Sequence, residues 1–309
     1  MAPVDMAVTE YRCGFVAVIG RPNAGKSTLV NALVGAKVAI TSSRPQTTRR
    51  ILRGILTTDD FQLILVDTPG VHRPRTLLGE RLNAEVTDAV AGVDVVGLCL
   101  PANEAIGPGD RRIAASIKGR QCVAILTKVD TVSRDVIAER LAELAAFEQE
   151  LGEQWAAIVP VSAVKSENLD ALRTALVACL PSGPALFPTD RPTDEAVEVS
   201  IAELIREAAL EGAREELPHS IAVVVEEIVP REDRSADAPL TDVRAEIFVE
   251  RDSQKAIIIG KGGSRLKQIG SQARRGIEGL LGTAVFLDLR VKVAKDWQRD
   301  PRQLRRLGL

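Results

Sequence analysis

Gly20-Arg21-Pro22-Asn23-Ala24-Gly25-Lys26-Ser27 is the stretch on which the reading of this chain turns. It fits G-x-x-x-x-G-K-[ST], with the apolar run Phe15–Ile19 (FVAVI) before it and helical spacing over Lys26–Leu33 after it. That strand–loop–helix setting is what the pattern needs in order to wrap phosphates. Glycines bring backbone N–H groups onto phosphate oxygens, and the positive end of the helix dipole adds to them. In this reading Lys26 reaches the terminal phosphates, Ser27 holds a magnesium ion, and Thr28 completes the contact set.

Outward from this loop, short apolar runs rich in β-branched residues alternate with helical patterns. Phe61–Val66 (FQLILV), Val93–Leu100, Cys122–Leu126 (CVAIL) and Ala157–Val159 are the runs; Leu77–Ala91 and Arg134–Leu151 are helical. Runs without polar alternation read as strands buried on both faces, as in a parallel sheet. The first 181 residues are therefore expected to form an α/β domain, mostly parallel, with helices on both faces. Pro181–Asp194 (PSGPALFPTDRPTD) carries four prolines and no apolar period, so 182–194 reads as a linker. Beyond it, 195–309 reads as α-β-β-α-α-β. The pieces are a helix over Glu195–Leu217, strands at Ile221–Val229 and Val243–Glu250, and a short helix at Lys255–Ile259 running into GKGG. A helix over Ser264–Leu281 and a strand at Ala284–Val293 follow.

Three further motifs follow buried strands in order. Asp67-Thr68-Pro69-Gly70 comes after FQLILV, where a carboxylate is placed to hold the magnesium shell and the Gly70 N–H can approach a γ-phosphate. Between it and the phosphate loop lies Gln46-Thr47-Thr48-Arg49, a polar loop from which Thr48 can complete the metal shell. Thr127-Lys128-Val129-Asp130 comes after CVAIL, and Ser162-Ala163 after Ala157–Val159. Asp130 can accept from both N1–H and the 2-amino group of guanine, and adenine has neither donor. Lys128 covers the ring and braces the phosphate loop, with Val129 between the two contacts, and the Ser162–Ala163 backbone approaches the guanine oxygen. These features select GTP over ATP and give Lys26, Thr48 and Gly70 the catalytic roles. Val71 stands where Ras-like proteins place a glutamine that orients the attacking water, so slow intrinsic turnover is expected. Asn23 has two readings: it stabilises the loop turn, or it holds a potassium ion in place of an arginine finger.

Composition narrows the class. The 309 residues are 45% hydrophobic and 27% charged, the balance of a globular chain. No apolar run approaches the roughly 18 residues of a membrane span, and MAPVDMAVTE has no secretory pattern, which argues against integral membrane and secreted proteins. Cys13, Cys99, Cys122 and Cys179 form no C-x-x-C pair, and Cys99 and Cys122 sit inside apolar runs as small core residues. A reducing compartment, the cytosol, follows. From Arg251 to the end there are 14 Lys and Arg against 5 Asp and Glu, although the whole chain is formally −2. Such a tail is the footprint of a polyanion binder or of a solvated charged face.

Within that basic region, Gly260-Lys261-Gly262-Gly263 fits the G-x-x-G loop with which KH domains clamp a nucleic-acid backbone. Lys267, Arg274 and Arg275 continue the positive charge along the next helix. At 3% aromatic residues the chain lacks the stacking platform of an RRM or OB-fold.

The order GRPNAGKS, QTT, DTPG, TKVD, SA, then GKGG, VFLDLRVKV and KDWQRDPRQLRRLG, resembles the Era family of bacterial ribosome-assembly GTPases over nearly the whole chain. The resemblance implies a GTPase domain joined to a type-II KH domain, GTP or GDP with Mg²⁺, and binding near the 3′ end of 16S ribosomal RNA in 30S subunit assembly. It also implies a cytoplasmic protein with peripheral contact at the inner face of the cell membrane; no stable oligomer is inferred. One position departs, because the family's base-recognition motif begins with asparagine and here it is Thr127. A hydroxyl can bond only part of what the amide bridges, while Asp130 keeps guanine selectivity. The alternatives are an RNA-binding assembly protein whose nucleotide site no longer cycles, and a P-loop kinase or ATPase.

Overall fold

Val16 and Val18 lie on one face of β1 (Arg12–Ile19) and Ala17 and Ile19 on the other, and all four are buried. A strand buried on both faces must be covered on both faces, and that requirement organises the first unit. The computed structural model describes residues 10–41, 48–71, 76–211, 220–232 and 238–309. They cluster into two units, the first being Met1–Ala39, Ile51–His72 and Asn83–Asp194, the second Ile40–Arg50, Arg73–Leu82 and Glu195–Leu309.

In chain order the first part runs α1 (Lys26–Val34), β2 (Leu52–Thr57), β3 (Phe61–Asp67), α2 (Leu77–Ala91), β4 (Val95–Pro101) and α3 (Pro108–Ser116). It continues with β5 (Cys122–Thr127), α4 (Arg134–Leu151), β6 (Ala157–Pro160) and α5 (Leu169–Ala178). The sheet order is β2-β3-β1-β4-β5-β6, parallel throughout except for the β2–β3 pair. Leu29 and Leu33 of α1 and Leu172 and Leu176 of α5 cover one face; Val86 of α2, Ile113 of α3 and Phe147 of α4 cover the other. Helices thus lie on both faces, as the alternation predicts. Because β1, β3, β5 and β6 are parallel, their carboxyl ends share one edge, and β1 sits where the strand order reverses, between β3 and β4.

Strand β2 and helices α3 and α5 add to the elements read from sequence. The proline-rich 182–194 segment is held against the first unit. Buried Gln62 of β3 donates to Phe187 O at 2.9 Å and accepts from the Leu186 and Phe187 N–H groups. Ile55 N–H donates to Pro192 O, and Arg53 pairs with Asp194 at 2.6 Å. A polar side chain buried in a strand needs partners, and this segment supplies them.

The second unit contains α6 (Val197–Leu210), β7 (Ala222–Pro230), β8 (Leu240–Val249), α7 (Asp252–Ile259), α8 (Ser264–Leu281), β9 (Ala284–Val293) and α9 (Pro301–Arg306). Its sheet is β7-β8-β9, antiparallel then parallel, which realises α-β-β-α-α-β. Ile201 and Ile205 of α6 and Ile269, Ala273 and Ile277 of α8 pack on Val243, Ala245 and Ile247 of β8. Positions four apart on each helix form these stripes. Helix α6 ends at Leu210, before the expected Leu217; Glu211 is extended, and 212–217 of the expected helix lie outside the described residues, as do 233–237 of the β7–β8 loop. A second cluster gathers Ala222, Phe248 and Leu304 around fully buried Trp297, whose indole N–H donates to Ser220 O at 3.1 Å.

Candidate nucleotide site and nucleic-acid interface

The phosphate loop leaves β1 at Gly20 and enters α1 through Gly25, whose φ is 89°. Asn23 takes a left-handed φ of 62°, a conformation asparagine tolerates, and its side chain is solvent-exposed. Lys26 is buried; its Nζ donates to the Gly20 and Arg21 carbonyls at 3.1 and 3.0 Å. Burial pushes its ammonium down from the usual lysine range, and Asp67 pushes it part of the way back. Ser27 Oγ donates to Asp67 Oδ2 at 2.7 Å, and Asp67 is fully buried at the end of β3. Beyond it Thr68 donates to Val18 O at 2.8 Å, and Pro69 leads to Gly70. A Cβ at Gly70 would fall 2.8 Å from Pro22 Cα, so only glycine fits where the two loops meet. Val71 packs against the α2–α4 face of the core. Thr28 is half-buried in the first turn of α1.

A magnesium ion takes hard oxygen ligands, commonly one carboxylate, a hydroxyl and phosphate oxygens. Ser27 and Asp67 supply such a pair. Among the described residues no group of three or more His, Cys, Asp or Glu is placed to hold a metal by itself. Thr48, the third ligand expected from sequence, is buried and belongs with the second unit; Gln46 and Thr47 lie outside the described residues.

The base-reading segments meet at the ends of β5 and β6. Val129 N–H donates to Val161 O, and Val161 N–H to Leu126 O at 2.8 Å. Ser162 Oγ donates to Asp130 Oδ1 at 2.7 Å and accepts from Lys165 N–H, which fixes the carboxylate. Ala163 follows Ser162, half-buried. Lys128 has φ 59°, and its Cε lies 4.0 Å from where a Cβ on Gly25 would sit. Thr127 Oγ1 donates to Ala24 O at 2.6 Å.

Arg21 and Arg49, both inside motifs quoted from the sequence, make contacts that the motifs do not announce. Arg21 pairs with buried Asp110 at 2.7 Å and with Glu104 at 3.0 Å, tying the phosphate loop to the start of α3. Arg49, next to Thr48, is buried in the second unit; it donates to Ile221 O at 2.5 Å and lies 5.6 Å from the Trp297 ring. Burial there pushes its guanidinium pKa down, with Arg206 adding to the push. Their sequence signal is membership of a motif, which says nothing of these partners. Burial also pushes the Cys99 and Cys122 thiols up to about 12, in keeping with inert core residues.

In the second unit, α7 ends at Gly260 with φ 72°, a tight turn spans Lys261–Gly263, and α8 starts at Ser264. Gly262 and Gly263 take φ of 59° and 77°, with open space where a Cβ on either would sit. Lys261, Lys267, Arg274 and Arg275 are exposed. The last three are seven and eight positions apart, so they share one side of α8, away from Ile269, Ala273 and Ile277.

Comparison with known proteins matches residues 15–128 to the family described as 50S ribosome-binding GTPase and residues 216–298 to the KH domain family. The chain is 62% identical to the GTPase Era of Streptomyces coelicolor over 98% of its length and 97% of that protein. It is 61% identical to the GTPase Era of Mycobacterium avium over 97% of its length and all of that protein. Among solved structures, an Aquifex aeolicus Era variant bound to GDP·AlF4⁻ superposes with a TM-score of 0.90 at 38% identity, covering 96% of this chain and 99% of that one. Era in complex with MgGDPNP and nucleotides 1506–1542 of 16S ribosomal RNA superposes with a TM-score of 0.91 at 37% identity and the same coverage. Carried over nearly its full length by these likenesses, the chain belongs to the Era family of GTPases.

Proposed function

We infer that the protein is a slow GTP-hydrolysing switch that binds the 3′ region of 16S ribosomal RNA through its KH domain and acts in assembly of the 30S subunit. The observation that carries this is 62% identity to a GTPase Era across 98% of the chain. The nucleotide is GTP or GDP with Mg²⁺, which supplies charge neutralisation at the transferred phosphoryl group. Lys26, held between the Gly20 and Arg21 carbonyls, is positioned to exchange those acceptors for phosphate oxygens. Ser27 and Asp67 hold the metal. The Gly70 N–H takes the γ-phosphate, and Asp130, fixed by Ser162, reads guanine. Val71 offers no group to orient water, which keeps intrinsic turnover slow. Asn23, exposed on the loop, keeps two roles, a stabiliser of the loop turn or a ligand for a potassium ion.

The GKGG turn clamps RNA backbone, with Lys261, Lys267, Arg274 and Arg275 supplying charge. The functional division is a GTPase domain over 1–181, a connecting segment over 182–194 and a KH domain over 195–309. The protein works in the cytoplasm, where its RNA is. Peripheral contact with the inner face of the cell membrane rests on family resemblance; among the described residues no helix is long and apolar enough to cross a membrane.

Competition between GTP and ATP for the site, followed by phosphate release, tests the enzymatic half. GTP should displace a fluorescent GDP analogue at least a hundredfold better than ATP and be turned over slowly. Equal displacement by ATP would return the site to the general P-loop class, and binding without turnover would favour the non-cycling assembly protein.

A further inference from the structure

Arg21 is the second residue of the phosphate loop, and its side chain runs to the start of α3. Its Nε donates to Asp110 Oδ1 at 2.7 Å and its Nη1 to Glu104 Oε2 at 3.0 Å. Asp110 is 2% exposed, and its second oxygen accepts from Gly107 N–H at 2.9 Å, the residue that caps α3. Glu104 is 50% exposed. A Cβ on Gly109 would sit 2.9 Å from Arg21 Cδ, so the arginine stem lies flat on the first turn of that helix. The helix is firmly seated: Ile113 and Ala114 are buried in the core, and Ile106 N–H just before it donates to Glu143 Oε1 of α4 at 3.0 Å. At its other end, the Arg21 carbonyl accepts from Ala24 N–H at 3.2 Å and from Lys26 Nζ at 3.0 Å. One residue thus holds the turn of the loop and its lysine by the main chain, and a core-packed helix by the side chain.

We propose that Arg21 is a positioning residue that, through Asp110, holds the empty phosphate loop in the shape that receives the β-phosphate. The inference rests on the reading of residues 20–27 as the phosphate cradle. A loop whose N–H groups wander must be ordered when the diphosphate arrives, and that ordering subtracts from affinity. Anchoring the loop beforehand removes this cost. Asp110 is the working partner, because it is buried and already oriented by Gly107 N–H. The exposed Glu104 pair is screened by solvent and adds little. The guanidinium itself touches no part of the nucleotide, so its influence falls on phosphate recognition and leaves the base to Asp130.

The test measures dissociation constants of GDP, GTP and GMP by displacement of a fluorescent GDP analogue, with thermal melts alongside. GMP lacks the β-phosphate that the loop wraps. Arg21→Ala should weaken GDP and GTP alike by about tenfold and GMP by less than about twofold. Because this change also strands the buried Asp110 carboxylate, the melting temperature should drop. The double variant Arg21→Ala/Asp110→Asn removes that charge, so its melting temperature should recover while GDP stays about tenfold weaker. Glu104→Gln should leave all three affinities at wild-type values. Arg21→Lys, still able to pair with Asp110, should hold GDP within about threefold of wild type. Recovery of GDP affinity together with stability in the double variant would make the arginine a structural counter-charge and overturn the proposal. Unchanged GDP affinity in folded Arg21→Ala, or equal weakening of GDP and GMP, would overturn it too. Should Arg21→Ala fail to fold, the double variant supplies the same GDP-to-GMP ratio. A wild-type protein that bound GMP as tightly as GDP would instead refute the phosphate-cradle reading, whatever Arg21 does.

Discussion

Replacing Asp130 by asparagine inverts the hydrogen-bonding polarity of the base site with minimal change in shape. Ser162 Oγ donates to Oδ1 at 2.7 Å, and an asparagine oxygen can go on accepting that bond. With the oxygen so fixed, the amide turns its N–H groups toward guanine, which presents N1–H and the 2-amino group at the same place. Two bonds to a charged acceptor are lost, at roughly 1.5–3 kcal/mol each. The sum, about 3–6 kcal/mol, corresponds to a weakening of about a hundredfold to ten-thousandfold. Xanthine carries a carbonyl where guanine carries the amino group, so it accepts from the new amide. Calorimetric titration of GDP and xanthosine diphosphate into both proteins, with melting temperatures as a folding control, gives the comparison. Guanine affinity within about tenfold of wild type in a folded Asp130→Asn protein would refute the reading.

Ser27→Ala removes the hydroxyl 2.7 Å from Asp67 and should reduce GTP hydrolysis by at least a hundredfold in single-turnover assays, because charge neutralisation supplies most of the catalysis. Burial lowers the Lys26 pKa and phosphate oxygens favour its ammonium, so binding raises that pKa. GTP affinity should hold at low pH and fall as pH rises through the pKa of the bound ammonium; an affinity that does not fall with rising pH would contradict this. If Asn23 holds potassium, exchanging potassium for sodium should slow turnover, and Asn23→Ala should abolish the difference; equal rates in both salts leave Asn23 to the loop turn. Gly262→Asp puts a negative side chain into the open space above the GKGG turn and should cut RNA affinity at least tenfold, with GTP affinity unchanged in the absence of RNA. Lys261→Ala should weaken binding less and flatten its salt dependence by about 0.7, one single-strand phosphate contact.

The parallel strands, their helices and the α-β-β-α-α-β order were legible because each rests on a local apolar period or on motif glycines. The phosphate loop, Asp67-Thr68-Pro69-Gly70 and the 127–130 segment were legible for the same reason: each follows a buried strand. Strand β2 was not, because Arg53 and Gly54 interrupt its pattern. Gly54 is there because a Cβ would meet Val34 at 2.8 Å, a constraint only the tertiary structure imposes. The attachment of 182–194 hinges on Gln62, a polar residue in an apolar strand whose partners lie about 125 positions away. Arg49 is similar: its partners Ile221 and Trp297 are remote in sequence, and an arginine after a threonine announces nothing. The Thr127 substitution was visible, but the carbonyl that receives its proton was not.

The central claim, a GTPase switch that reads small-subunit RNA, is tested most directly by crosslinking the protein in cells and sequencing the attached RNA, with GTP-loaded and GDP-loaded protein compared in lysate. The account predicts crosslinks concentrated near the 3′ end of 16S ribosomal RNA, attached through the 255–275 segment, and altered in yield between the two nucleotides. Crosslinks scattered over unrelated RNAs, or identical in yield with GTP and GDP, would contradict it.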